Sequence, residues 1–292
     1  MKPLRLKIQE ECNVKKLPQH VIEKDYALSY VLMGIAKQTE LANSLVFKGG
    51  TALKKIFFGD YRFSEDLDFS TVDAPKNDKL EVALSAAANI TKTLLMDYGP
   101  FDLTVKRKPE RAPHPTGQEA FTIGVQFPWQ RTPQCNIKIE VTHDEPVILS
   151  PQHKPILHGY GEELDCKVSC YPIEEIIAEK LRALLQTHKK LVSRGWNRPR
   201  ARDYYDLWRI LKDHSDHLNK EALLTTLDKK CKHRNVSYNE LDDFFTEELI
   251  REANQHWQAT LGDLIKDLPG CALVLEETRV LVRSVLCEDS RK

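Results

Sequence analysis

At 292 residues, with 41% apolar and 29% charged side chains, the chain has the composition of a folded globular protein and excludes disordered, collagen-like and fibrous classes. Lys plus Arg and Asp plus Glu both number 43, so with His neutral the net charge is zero, and only local patches can argue for or against a nucleic-acid partner. The seven cysteines, Cys12 to Cys287, follow no disulfide framework. Nothing approaches ~18 consecutive apolar residues or the apolar core of a signal peptide, so reduced thiols and a cytoplasmic location are expected.

In chain order, "LPQHVIEKDYALSYVLMGIAK" carries apolar residues at helical spacing behind Pro18, and predicts a helix. A turn at Lys48–Thr51 follows, then a helix over Ala52–Phe58 and a strand over Leu67–Phe69. "DKLEVALSAAANITKTLLMDYG" predicts a second long helix, closed by Gly99 and Pro100. The period then changes to two: "FDLTVKR", "AFTIGVQF" and "CNIKIEVTH" read as strands of one sheet, with a weak strand at "CKVSCY". From Pro172 the pattern is helical almost to the end. An α+β architecture is expected: a mixed α/β domain over 1–170 and an all-helical domain over 171–292.

Within "FKGGTALKKIFFGDYRFSEDLDFS", Asp66 and Asp68 lie two apart and so share one face of the strand, while Leu67 and Phe69 enter the core. Two ionised carboxylates that close call for a neutralising cation, and Mg²⁺ (or Mn²⁺) prefers such oxygen ligands. A solvated strand end is the ordinary alternative. The Gly49-Gly50-Thr51 turn adds a second feature: glycines let backbone approach a phosphate, and Thr51 can cap the helix or bond a phosphate oxygen. In "NIKIEVTH", Lys138 and Glu140 share the polar face, so a neighbouring strand would bring Glu140 beside the aspartates. An edge-strand charge explains it equally well.

These residues, "FKGGTALKK…RFSEDLDFS", resemble the glycine turn and Asp-x-Asp signature of the DNA polymerase β-like nucleotidyltransferase superfamily. More narrowly they resemble its AbiEii group, which includes the MenT toxins. "IEKDYALSYVL", "PIEEIIAEKLRALL" and "RARDYYDLWRI" fit the same group, so the likeness covers Val21 to Ile210; beyond Asp213 only generic helix matches. "FFGDY" makes the Gly-to-Asp spacing long.

The resemblance implies a polymerase β-like domain in which Asp66, Asp68 and Glu140 bind the metal. Gly49, Gly50, Thr51, Arg62, Ser64 and Lys180 would serve the nucleotide. Asp203 would be catalytic or orienting, with Asp206 beside it on the same helical face. On pattern alone Arg62 could instead pair with Asp60 or Glu65, Lys180 could be part of a surface ion pair, and Asp203 an acidic helix start. Arg182 is expected to point away from the apolar helix face. In "HKKLVSRGWNRPRARDYYDLWR", cations including Arg194, Arg198, Arg200 and Arg202 alternate with Trp196, Tyr204, Tyr205 and Trp208, which would suit RNA or a basic loop packed by aromatics. "VKRKPERAPHP", with Lys106, Arg107, Lys108 and Arg111, reads as a solvated basic loop. The implied activity is transfer of a nucleoside monophosphate from an NTP to RNA, at the 3′ end of tRNA, by a type IV-like toxin whose antitoxin is an AbiEi-like winged-helix protein. A same-fold transferase acting on protein or small molecules, and a non-catalytic nucleotide-binding module, are the rival readings. Glu23-Lys24-Asp25 belongs to the resemblance without an assigned role.

Overall fold

A computed structural model of the chain describes residues 3–109 and 117–286. Two compact units, Met1–Tyr171 and Pro172–Lys292, divide the chain.

The first unit begins with α1 (Leu4–Lys15), α2 (Gln19–Lys37) and α3 (Thr39–Ser44). Its strands are β1 (Leu45–Lys48), β2 (Asp66–Thr71), β3 (Asp102–Arg107), β4 (Gln118–Gln126), β5 (Cys135–Thr142), β6 (Gln152–Pro155) and β7 (Lys167–Cys170). They form one mixed sheet in the order β3-β4-β5-β2-β1-β7-β6. β2 sits between β5, which it pairs in parallel, and β1, which it pairs antiparallel. Alternation along β2 and β5 buries Leu67, Phe69, Ile137, Ile139 and Val141 on one face and leaves Asp66, Asp68, Lys138 and Glu140 half-buried on the other. α2 packs against the sheet and against α5 (Asp78–Leu94), the second predicted long helix.

Two elements differ from expectation. The glycine turn is itself the start of a helix, α4 (Gly49–Ala52), which widens into a π-helical turn over Leu53–Phe57. The Phe58 amide therefore reaches the Leu53 carbonyl, at 2.8 Å, and the wide turn buries the consecutive Lys54 and Lys55. The strand at the aspartates runs from Asp66 to Thr71, longer than Leu67–Phe69. Lys106 and Arg107, open to two readings, lie on β3 as the strand pattern of "FDLTVKR" predicts and not in the basic loop; the Arg107 guanidinium bonds Glu119, while Arg111 falls outside the described residues. α1, α3, β1 and β6 carry too weak a period to be read: β1 is a four-residue run buried at every position, and β6 is a short Gln-His-Lys-Pro run with no apolar alternation.

The second unit comprises α6 (Ile173–Arg194), α7 (Ala201–His214), α8 (Lys220–His233), α9 (Glu247–Leu261) and α10 (Cys271–Leu286). The stretch from Asn239 to Ile265 divides into a 3₁₀ turn, Leu241–Phe244, and α9, because a capping box at Glu240 and Asp243 and the Thr246 cap start each piece separately. Inside this unit Lys230 and Glu175, both without solvent exposure, pair at 3.1 Å. Among the described residues no helix is long and apolar enough to cross a membrane.

Candidate active site

β1 delivers the chain directly into the glycine turn, opposite the aspartates: Lys48 at its end is the register partner of Asp68. Gly49 adopts φ +79°, and a Cβ placed on it would lie 2.4 Å from Asp68 Oδ2. A Cβ on Gly50 would lie 2.4 Å from Arg62 Nη2. The two glycines are thus the condition for the backbone to rest against a carboxylate on one side and a guanidinium on the other. The buried Thr51 hydroxyl donates to the Asp66 carbonyl and bonds the Ser64 hydroxyl at 2.7 Å. Its place is between the turn and the strand, fixing one against the other. Arg62 is buried, donates to the Phe63 carbonyl at 3.3 Å and lies over the Tyr61 ring. Glu65, its alternative partner, instead meets Lys24 at 3.3 Å.

β5 brings the third acid to the same face. Asp68 is the register partner of Glu140 and Asp66 that of Lys138, so three carboxylates and one ammonium occupy two alternate rungs on one face, with the Leu67–Ile139 rung between them on the other. Lys138 and Glu140 form an ion pair along β5. Among the described residues no three His, Cys, Asp or Glu side chains converge as a metal cluster. As a donor set, the adjacent, half-buried Asp66 and Asp68 suit a hard divalent cation, and Glu140 would join them by exchanging Lys138 for it.

Among the described residues of the first unit, three buried lysines, Lys48, Lys54 and Lys55, had no signal in the sequence. Lys48 lies under the Tyr171 ring at 5.7 Å. Lys54 sits 4.1 Å from the centre of the Phe63 ring and donates to the Tyr61 carbonyl at 3.3 Å, closing the long "FFGDY" connection back on the helix. Lys55 pairs with Asp25 at 2.8 Å.

In the second unit, α6 and α7 place Lys180 between two acids. Its ammonium donates to Asp203 Oδ1 at 2.8 Å and to Asp206 Oδ2 at 2.7 Å. Arg200 adds a contact to Asp203 Oδ2 at 3.2 Å. Burial opposes ionisation of Asp203, but Lys180 and then Arg200 outweigh it and hold the carboxyl below its ordinary range. Arg182 does not point outward: it is buried, with its guanidinium on Gln186 at 2.7 Å.

The basic segment is only partly available. Arg200 Nε donates to Thr187 and Arg202 Nε to the Thr260 carbonyl. Tyr204 is buried with its hydroxyl on the Phe244 carbonyl, Tyr205 is buried, and Trp208 donates to Glu277 at 2.6 Å. Of these four aromatics Trp196 alone is well exposed, at 73%. The amphipathic α7 explains this, since its aromatics lie on the inward face. Lys190 sits among cations: burial and then Arg200, Arg194, Arg182 and Arg234 lower its pKa. Arg182 and Arg234 join this cluster from outside the basic segment.

The family model described as "Nucleotidyl transferase AbiEii toxin, Type IV TA system" matches residues 31–277. The match runs well past Asp213, through helices that look generic by pattern. A search of curated proteins finds no match. Among solved structures the fold is similar to that of MenT4, a nucleotidyltransferase toxin from Mycobacterium tuberculosis, with TM-score 0.65 and 19% identity over 98% of this chain and 90% of that one. The family match spans most of the sequence, so the chain belongs to the AbiEii nucleotidyltransferase toxin family of type IV toxin–antitoxin systems, with an NTP as substrate and an antitoxin as partner.

Proposed function

We propose that the protein transfers a nucleoside monophosphate from an NTP to a hydroxyl of RNA, at the 3′ end of tRNA, with release of pyrophosphate. One observation carries the reading: the Gly49 backbone is pressed against the Asp68 carboxylate so closely that no side chain fits between them. A phosphate-accommodating turn and an acidic pair thereby form one constellation. Gly49, Gly50 and Arg62 receive the triphosphate, while Thr51 and Ser64 hold the turn to the strand.

Asp66 and Asp68, with Glu140, would hold Mg²⁺ or Mn²⁺. The ion would neutralise phosphate charge at the reacting centre. In the helical unit, Lys180 offers a cation for the nucleotide phosphates. Asp203 and Asp206 fix its ammonium. An Asp203 carboxyl held below the ordinary range is a weak base, so its role is to orient Lys180 rather than to take the proton of the attacking hydroxyl. Trp196 offers an exposed stacking plane in the same segment as Arg194 and Arg198, a combination that suits an unpaired RNA end, while Arg200 and Arg202 are engaged with Thr187 and the Thr260 carbonyl. Cytoplasmic action and an AbiEi-like winged-helix antitoxin complete this reading.

Incubation with each α-labelled NTP, Mg²⁺ and total RNA tests it. Wild type should label RNA, and Asp66→Asn should lose at least about a hundredfold in rate, since metal-ligand interactions supply several kcal/mol. Equal labelling by both would remove Asp66 from the site. Label in added protein or small-molecule acceptors, with RNA unlabelled, would move the acceptor class.

A further inference from the structure

Residues Glu23, Lys24 and Asp25 precede the segment matched by the family model, yet each of the three is tied to a different part of the first unit. Glu23 accepts from Trp129 Nε1 and Gln130 Nε2, both at 2.9 Å, and so holds the connection between β4 and β5. Lys24 reaches Glu65, the residue before Asp66. Asp25 goes deepest. Its Oδ1 lies 2.8 Å from Lys55 Nζ, its own carbonyl accepts from the same ammonium at 3.0 Å, and its Oδ2 accepts from Tyr160 at 2.9 Å.

Both members of the pair are essentially excluded from water, Lys55 at 1% and Asp25 at 3% side-chain exposure. Lys55 belongs to the π-helical turn that continues directly from Gly49–Ala52, four positions after Thr51. A two-point anchor on Lys55 therefore fixes the far end of the one short element whose near end is the glycine turn. The pair is costly to keep: burial, opposed by Asp25 and reinforced by Lys54, brings the Lys55 pKa down to about 8. Two apolar side chains of similar volume would stabilise such a place as well or better. Retaining a buried pair of charges here points to geometry rather than stability.

We propose that Asp25, oriented by Tyr160, and Lys55 form a positioning pair that sets the Gly49–Thr51 turn for nucleotide binding. The inference rests on the reading of that turn as the nucleotide site. The pair touches no substrate; it acts through the backbone between Thr51 and Lys55.

The test is equilibrium binding of each α-labelled ribonucleoside triphosphate, in Mg²⁺, to the full chain and its variants, well below their melting temperatures. Lys55→Met alone leaves Asp25 a buried charge without its main counter-ion and is expected to fold poorly. The double variant Asp25→Asn/Lys55→Met removes both charges and should melt near wild type, yet bind nucleotide about 10–100-fold more weakly, the usual effect of losing a supporting shell. In the transfer assay the double variant should raise KM for the NTP and keep kcat, whereas Asp66→Asn loses kcat. Wild-type affinity in a double variant of wild-type melting overturns the inference. Should the double variant not fold, Tyr160→Phe decides: it deletes one hydroxyl from Asp25, is expected to weaken binding in the same direction, and unchanged affinity overturns the proposal. Gly50→Ala separates the two layers. Wild-type affinity there sinks the turn as nucleotide site and the positioning pair with it. Weakened affinity there, beside wild-type affinity in the double variant, sinks the positioning pair alone.

Discussion

Lys180 of α6 holds the carboxylate of Asp206, a residue with no solvent exposure, at 2.7 Å across to α7. Asp203, three positions earlier, takes a second bond from the same ammonium. The lysine implied by family resemblance to be a site residue is therefore also a member of the core of its own unit.

This double duty predicts how its variants behave. Lys180→Met strands the Asp206 charge in the interior and should cost about 3–5 kcal/mol in denaturant unfolding. Lys180→Met/Asp206→Leu should recover much of that loss without recovering transfer. A single variant that unfolds at the wild-type midpoint would contradict the observed pairing.

The two glycines should respond differently to alanine. At Gly49 the backbone has φ +79° and the new Cβ meets Asp68, so Gly49→Ala combines left-handed strain of about 1–3 kcal/mol with displacement of a proposed metal ligand. At Gly50 no positive φ is involved, and the obstacle is the far end of the Arg62 side chain, which can swing. Melting temperature should therefore fall clearly for Gly49→Ala and little for Gly50→Ala, although both lose nucleotide binding. The reverse order of melting temperatures would rule out this account of the turn.

Glu162 supplies a pH signature. Burial opposes its ionisation, but the His158, Lys7 and Tyr26 contacts prevail and bring its pKa from 4.5 down to about 2. The unfolded chain binds the proton first as pH falls, so the stability contributed by Glu162 is complete above about pH 4.5 and is lost towards pH 2. Glu162→Gln should be less stable than wild type at neutral pH, and the difference should close across that window. Paired urea titrations at several pH values measure it, and a gap independent of pH would exclude the linkage.

Trp196 is exposed enough to be changed at no structural cost. Trp196→Ala should melt as wild type does and lose about 1–3 kcal/mol of RNA binding if bases stack on it. Replacing Arg194 or Arg198 by alanine should weaken binding to all RNA sequences and lower the salt slope by about one per phosphate contact. Filter binding across a salt series checks both. RNA affinity unchanged in all three variants would remove this surface from the acceptor site.

The placement of several candidate site residues was legible in short stretches. Asp66 and Asp68 are two apart in a strand, so a common face follows from the pleat alone, and β2 in the structure keeps it. Glu140 was read as sharing a face with Lys138, and the β2–β5 register puts it opposite Asp68. Arg182 was misjudged, and Tyr204, Tyr205 and Trp208 stayed open between RNA contact and packing, for one reason: a helical pattern states which residues share a face, not which neighbour will cover it. Lys54 and Lys55 were invisible for another. Adjacent charged residues in an ordinary helix read as exposed, and only the widened turn takes both inside.

The acidic strand, the glycine turn, the α/β-then-helical order and the family resemblance could all be read from the residues alone. Each of these depends on residue type and spacing within a few turns of chain. Which partner each buried charge takes depends on the folded arrangement, because a buried charge requires a partner and that partner comes from a distant segment. Asp25 meets Lys55 thirty positions later, Glu175 meets Lys230, and Lys180 is held by Asp203 and Asp206 of the next helix. Low-dielectric surroundings make such pairings obligatory, and chain topology alone chooses among the candidates.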